Sequence, residues 1–247
     1  MIKMEFIFEI FKNIPRQGPG CSEATRKAFE MLTDIPQDLR ILDIGCGTGA
    51  QTLELARLSD GHVVALDNHE PYLEELERKA VEEGLSERIE TVSGSMFDLK
   101  FDPESFDVLW AEGAIYIIGF ERGLRDWKKF LKPEGYMAVS ELAWLKSNPP
   151  HKPLEFLNSG YPAMKSTEEN ISIIQECDYA LLGYFVLPER AWWDDYYTPL
   201  EKRLRMLEEK YAKDVKAMAE IEETYYEIAL YKKFSDWYGY VFYIMRK

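Results

Sequence analysis

The strongest constraint on this chain is one segment, Ile41-Leu42-Asp43-Ile44-Gly45-Cys46-Gly47-Thr48-Gly49. A short apolar run that ends in alternating glycines reads as a buried strand turning at once into a tight loop. Ala50 to Leu58 follows with Leu53, Ala56 and Arg57 at helical spacing. Strand, glycine loop and helix in that order open an α/β unit.

The same alternation continues. His62 to Leu66, Ile89 to Val92, Phe106 to Ala111 and Tyr136 to Leu142 read as further strands. Between them, Pro71 to Glu83 reads as a helix, with Pro71 in its first turn and Gly84 just past its end. Phe120 to Leu131 reads as another, stopped by Pro133. Strands alternating with helices predict right-handed crossovers and a doubly wound, mostly parallel, Rossmann-like α/β sheet. Such sheets bind ligands at the carboxyl ends of their strands.

After Leu142 the pattern changes. Ala143 to Ser166 carries Pro149, Pro150, Pro153 and Pro162 and reads as a long loop. Thr167 to Cys177 reads as a helix with Thr167 as its N-cap. Tyr179 to Leu187 is strand-like, and Ala191 to Phe234 is largely helical, with Leu200, Leu204, Leu207 and Tyr211 on one face. Tyr238 to Met245 reads as a final strand. The chain of 247 residues then divides as one domain, 1–247, with a helical lid at 1–34, a core at 35–145 and a helical cap at 188–235.

Charge and cysteine usage exclude several classes of partner. Lys plus Arg is 30 and Asp plus Glu is 44, a formal net charge of −14. So acidic a surface repels a phosphate backbone, and no nucleic-acid partner is expected. No apolar run approaches the roughly 18–20 residues needed to cross a bilayer, so no membrane insertion is expected. Met1 to Ile14 carries Glu5 and Glu9 and lacks a small-residue cleavage site, which reads as a helix rather than a signal peptide. Three scattered cysteines, Cys21, Cys46 and Cys177, suit a reducing cytoplasm, and neither they nor His62, His69 and His151 have metal-ligand spacing. No metal is expected.

The glycine loop narrows the ligand. Glycines let a backbone approach closely, and the helix N-terminus offers free N–H groups. A dinucleotide's pyrophosphate would meet the negative charge of Asp43. A ligand with an ammonium and a carboxylate fits better: Asp43 faces the ammonium, directly or through water, and backbone amides take the carboxylate. Asp67 ends the second strand, 24 positions after Asp43, where a carboxylate accepts both hydroxyls of a ribose. An amino acid joined to a ribose is S-adenosylmethionine. The spacing is Gly-x-Gly-x-Gly, not the Gly-x-Gly-x-x-Gly of nicotinamide binding.

Asp43-x-Gly45-x-Gly47-x-Gly49, Leu66-Asp67, Gly94-Ser95-Met96, Phe106-Asp107-Val108-Leu109-Trp110 and Leu131-Lys132-Pro133-Glu134-Gly135-Tyr136 together resemble the class I S-adenosylmethionine-dependent methyltransferases. The resemblance spans roughly residues 20–145 and is closest to the small-molecule enzymes of the ubiquinone-biosynthesis type. It implies a seven-stranded sheet with an antiparallel last strand, supplied by Tyr238 to Met245. It implies Ser95 and Met96 beside the adenine, and Glu112 at the methionine end. The cofactor set is then Asp43, Gly45, Cys46, Gly47, Gly49, Asp67, Asn68, Ser95, Met96 and Glu112, with Cys46 present as a small packing residue.

Methyl transfer asks a protein mainly to position and dehydrate its reactants. A general base is needed only for a protonated nucleophile; Glu112, Tyr116 and Glu141 are the candidates, and His151 reads as a surface residue. Arg16 and Gln17, in Arg16-Gln17-Gly18-Pro19-Gly20, read either as a contact to cofactor carboxylate or substrate, or as a turn between helices. Trp192, Trp193 and Tyr196 read first as packing of the cap. Their second reading, shared with Trp144 and Tyr116, is the wall of a pocket for an apolar or cationic substrate. The expected activity is methyl transfer to a small molecule. The alternatives are a silent S-adenosylmethionine-binding module and a nicotinamide oxidoreductase.

Overall fold

The structure is a computed structural model that describes residues 2–247, with side chains from residue 6 onward. The part of the N-terminal helix reading that falls on Met1, and on the Glu5 side chain, lies outside the described residues. Two helices, α1 (Ile2–Ile10) and α2 (Ser22–Phe29), precede the sheet. Then come β1 (Arg40–Ile44), α3 (Ala50–Leu58), β2 (His62–Asp67), α4 (Glu70–Glu82), β3 (Ile89–Ser93), β4 (Phe106–Glu112), α5 (Phe120–Trp127) and β5 (Leu131–Trp144). The remainder is α6 (His151–Gly160), β6 (Lys165–Ser166), α7 (Thr167–Glu176), β7 (Ala180–Val186), α8 (Arg190–Trp192), α9 (Thr198–Tyr211), α10 (Val215–Phe234) and β8 (Tyr238–Arg246).

The strand order is β3-β2-β1-β4-β5-β8-β7, with the two-residue β6 paired to β5. The pairs among β3, β2, β1, β4 and β5 are parallel, while β8 runs antiparallel to both β5 and β7. This is the doubly wound sheet expected, with its antiparallel last strand. Insertion of β8 between β5 and β7 explains its apolar run: from Tyr238 to Met245 every residue is buried. β1 is central and buried from Ile41 to Ile44, so the glycine loop leaves the sheet where the crossovers diverge toward β2 and β4.

Three local expectations are corrected. The segment 143–166 is not one long loop, because α6 starts at His151 with Pro150 as its N-cap. Pro153 lies in the first turn of that helix, where a missing N–H breaks no helical bond. The helix expected at 120–131 ends earlier, and Leu131, Lys132 and Pro133 already belong to β5. The cap of α7 is Ser166 rather than Thr167: its hydroxyl accepts from the Glu169 N–H while the Glu169 carboxylate accepts from the Ser166 N–H.

The insertion between β7 and β8 runs through α8 and one wide π turn, Trp193–Tyr197, directly into α9. It packs against the N-terminal segment. Arg203 and Lys210 of α9 both pair with Glu9 of α1, at 3.0 and 2.8 Å, and Phe6 meets Tyr211 edge to face. The Gly20 N–H also donates to the Ala191 carbonyl. Among the described residues no helix is long and apolar enough to cross a membrane.

Candidate active site

The loop after β1 is tied down by its own backbone. The N–H groups of Gly45 and Cys46 both donate to the Leu66 carbonyl at the end of β2. Gly45, Gly47 and Gly49 all take left-handed φ angles, +76°, +54° and +82°, which only glycine adopts without strain. At Gly49 there is a second reason, since a Cβ would stand 2.1 Å from Leu76 Cδ1 of α4. Gly49 therefore lets α3 and α4 pack and does not itself face the cavity.

That cavity measures about 340 Å³ and opens over the carboxyl ends of β1, β2 and β4. Of the expected cofactor residues, Gly45, Cys46, Gly47, Asp67, Asn68, Ser95, Met96 and Glu112 line it. Arg16, Gln17 and Tyr116 line it as well. The Cys46 thiol is pushed well up by burial, in keeping with a packing residue rather than a nucleophile.

Asp43 is placed differently from the expectation. It is fully buried behind the cavity wall, where Thr52 Oγ1 and Gln51 Nε2 donate to its two oxygens at 2.6 and 3.3 Å. Burial pushes its carboxyl up to about 7, against the pull of those two hydrogen bonds. The nearer polar group is Gln51, which lines the cavity and also donates to the Cys46 carbonyl. Asp43 is held by Gln51 and Thr52 and does not line the cavity.

Asp67 organises the loop from β2. Its Oδ2 accepts from the Gly47 N–H at 2.9 Å and its Oδ1 from the His69 N–H at 2.9 Å. A carboxylate has about four acceptor positions, so lone pairs remain for hydroxyl donors. Ser95 Oγ accepts weakly from the Phe97 N–H, and the Met96 carbonyl accepts from Trp127 Nε1.

The Arg16–Gln17 segment is a working part of the wall, not a plain turn. Gln17 Oε1 accepts from the Thr48 N–H inside the glycine loop at 3.0 Å. Arg16 Nη1 pairs with Glu112 Oε2 at 3.0 Å, with side chains only 6% and 4% exposed. Glu112 Oε1 accepts from Thr25 Oγ1 and Trp110 Nε1. With three donors on its two oxygens, Glu112 holds Arg16 in place. Arg16 Nη2 is buried and lacks a partner. An unpaired guanidinium donor on a cavity wall is costly unless a ligand satisfies it, and a carboxylate is the matching group.

Sequence reasoning missed the wall supplied by α1 and the residue just after it. Ile7, Phe8 and Phe11 line the cavity, as does Tyr72 of α4. Phe8 stacks on His69 with centroids 3.7 Å apart. Their hydrophobicity marked a helix, but no local signal told which surface it covers.

The other aromatic candidates lie elsewhere. Trp144, Trp192, Trp193 and Tyr196 do not line this cavity. Trp192 is 3% exposed and stacks on Tyr231 at 3.9 Å, and Tyr197 lies against both Trp193 and Tyr196. This is packing, as the first reading has it, except that Tyr196 also meets Phe11 of the cavity wall at 6.2 Å. Glu141 is buried and does not line the cavity. His151 is a surface residue, its side chain 84% exposed. Among the described residues no cluster of His, Cys, Asp and Glu forms a metal site.

Residues 41–135 match the family model for a methyltransferase domain. The sterol 24-C-methyltransferase of Aspergillus fumigatus is 30% identical over 176 residues, covering 67% of this chain and 46% of that protein. The one from Neurospora crassa is 26% identical over 184 residues, covering 70% and 48%. The chain thus spans about half the length of the curated relatives it matches. Among solved structures, an S-adenosylmethionine-dependent methyltransferase from Geobacter sulfurreducens in complex with S-adenosyl-L-homocysteine has a TM-score of 0.83 at 17% identity, covering 98% of this chain and 97% of that one. YjhP from E. coli has a TM-score of 0.82 at 21% identity, covering 98% of each chain. At these identities the likeness is one of fold.

Proposed function

We propose that this chain, which carries a methyltransferase domain at residues 41–135 in the class I fold, moves a methyl group from S-adenosylmethionine to a small-molecule acceptor. The observation that carries the reading is a pair of complementary groups on the wall of one cavity. Asp67 offers lone pairs beside the glycine loop, and Arg16 Nη2 is a buried donor lacking a partner. Ribose hydroxyls suit the first and an amino-acid carboxylate suits the second, so the residues present fit this cofactor. Bound there, the cofactor supplies an activated methyl group on a sulfonium.

The rest of the work falls to the chain. Glu112 orients Arg16, Gln17 braces the glycine loop, and α1 acts as a lid whose Phe8 and Phe11 exclude water from the reacting end. Tyr116 and Ile117, past the end of β4, face the side from which an acceptor enters. A net charge of −14 argues for small acceptors over nucleic acid, and three free, buried cysteines suit a cytoplasmic setting.

Asp67→Ala should weaken binding of S-adenosylhomocysteine, measured by calorimetry, by about 1–3 kcal/mol, or roughly 5- to 150-fold. Unchanged affinity would place the ribose elsewhere, and saturable NAD binding in place of S-adenosylhomocysteine binding would favour an oxidoreductase. Incubating the full chain with methyl-labelled S-adenosylmethionine and a metabolite extract should label at least one small molecule. Tight cofactor binding without any labelled product would point to a silent binding module.

A further inference from the structure

The cofactor cavity has an apolar mouth. Phe97, Tyr116 and Ile117 all line that cavity, yet they keep 50%, 40% and 51% of their surface open. A single exposed apolar residue is ordinary on a protein surface, but several on the rim of one cavity mark a surface that a ligand covers.

A second groove, of about 420 Å³, adjoins this mouth. The walls of the two spaces touch. The Tyr116 ring meets that of Tyr161, which lines the groove, at 5.7 Å. The Arg122 guanidinium, also on the groove, lies over the Phe97 ring at 5.6 Å. The backbone makes a further link, since Tyr116 and Ile117 lead directly to Gly119 and Phe120 of the groove.

The groove has an apolar floor and a charged rim. Phe120 and Ile173 are buried in it, and Tyr161 and Ala163 add apolar surface. Three cations, Arg122, Arg125 and Lys165, face two carboxylates, Glu121 and Asp126. The groove is thus net cationic on a chain whose formal net charge is −14. On α5, Arg122 pairs with Asp126 and Arg125 with Glu121 one helical turn apart, and all four side chains are about half open. Exposed pairs of this kind are held loosely, so both guanidiniums are free to turn to a ligand anion. Lys165 is exposed on β6 and has no ion-pair partner among the described residues.

We propose that mouth and groove together form the acceptor subsite, and that it takes an amphiphile: an apolar body ending in a carboxylate. The word acceptor rests on the methyl-transfer reading; the ligand class stands on the two walls themselves. The carboxylate sits on the rim among Arg122, Arg125 and Lys165, where guanidinium donors meet its oxygens side by side. The apolar body runs past Tyr161, crosses Tyr116, Ile117 and Phe97 and reaches the cofactor cavity, covering surface that is otherwise open. Burial of that body supplies most of the affinity, and the cations fix which end stays outside. A neutral amphiphile gains only the first of these, and an amine meets like charge.

The test is calorimetry on the full chain, with and without saturating S-adenosylhomocysteine, using decanoate, decanol and decylamine below the concentrations at which they aggregate. In both states decanoate should bind about fivefold or more tightly than decanol, the size of effect that exposed cations supply together, and decylamine should bind most weakly. The double variant Arg122→Gln/Lys165→Gln should bring decanoate down to the affinity of decanol. It should leave S-adenosylhomocysteine affinity unchanged, because neither residue lines the cofactor cavity. Ile117→Ser should weaken decanoate and decanol alike, by about fivefold. All three positions are exposed, so the variants should fold as the parent does. Equal affinity for decanoate and decanol, preference for the amine, no binding of the three, a carboxylate preference that survives in the double variant, or undiminished binding to Ile117→Ser would each overturn the proposal. Failure of S-adenosylhomocysteine to bind would instead strike the methyl-transfer reading, and the order of the three amphiphiles on the free chain would still decide the groove.

Discussion

Arg16→Met should lower stability by about 3–5 kcal/mol and weaken S-adenosylhomocysteine binding at the same time. The first effect follows from what the substitution leaves behind. Glu112 is 4% exposed in its side chain, and removing one partner of a buried ion pair strands the other charge. Thr25 and Trp110 still donate to Glu112, which puts the loss toward the lower end of that range. For a chain of this size the melting temperature should fall by roughly 10 °C. The second effect has a different origin: Nη2 is the donor left free for a ligand carboxylate, and a hydrogen bond to a charged group contributes about 1.5–3 kcal/mol. The two separate in the double variant. Adding Glu112→Gln to Arg16→Met removes the stranded charge and should recover much of the melting temperature, while cofactor affinity stays low. A single Arg16→Met variant that melts with the parent would show that the pair does not hold the lid segment.

Trp192→Ala should cost about 3–5 kcal/mol, the usual range for emptying a buried Trp site. Trp192 is 3% exposed, stacks face to face on Tyr231 and touches Tyr197, Tyr238 and Tyr240. One offset is visible, since its indole N–H is buried without a partner and the substitution removes that orphan. Cofactor affinity should stay near the parent's, because Trp192 does not line the cavity. Thermal unfolding and calorimetry on the same sample check both halves. Unchanged melting with impaired acceptor use would reverse the assignment and make Trp192 a pocket wall.

The two variants mark where reading the chain worked and where it stopped. The glycine loop and Asp67 were legible as cavity-wall residues because each ends a strand, while Ser95 and Met96, which also line the cavity, came from the family resemblance. Arg16 was legible as a candidate, but its partner Glu112 stands 96 positions away, and no periodicity reports a pairing at that distance. Asp43, expected beside the ligand, does not line the cavity for a related reason. Its position just before the loop is local, but the direction of its side chain depends on Gln51 and Thr52 of α3. α6 went unread because four prolines suggested a loop, though prolines at a helix start are compatible with the first turn.

By itself the sequence determined the order of elements, the parallel sheet and the strand ends over which the cavity opens. Those follow from short-range causes: apolar periodicity, the φ angles that glycine alone tolerates, and the right-handed crossover. Only the tertiary structure decided which charges meet. Glu112 is neutralised by Arg16, Glu9 by Arg203 and Lys210, and Glu141 by nothing within the described chain. The energy of a carboxylate depends on what surrounds it in space, and three glutamates alike in sequence become a brace for Arg16, a clamp between α1 and α9, and a buried group without a cation.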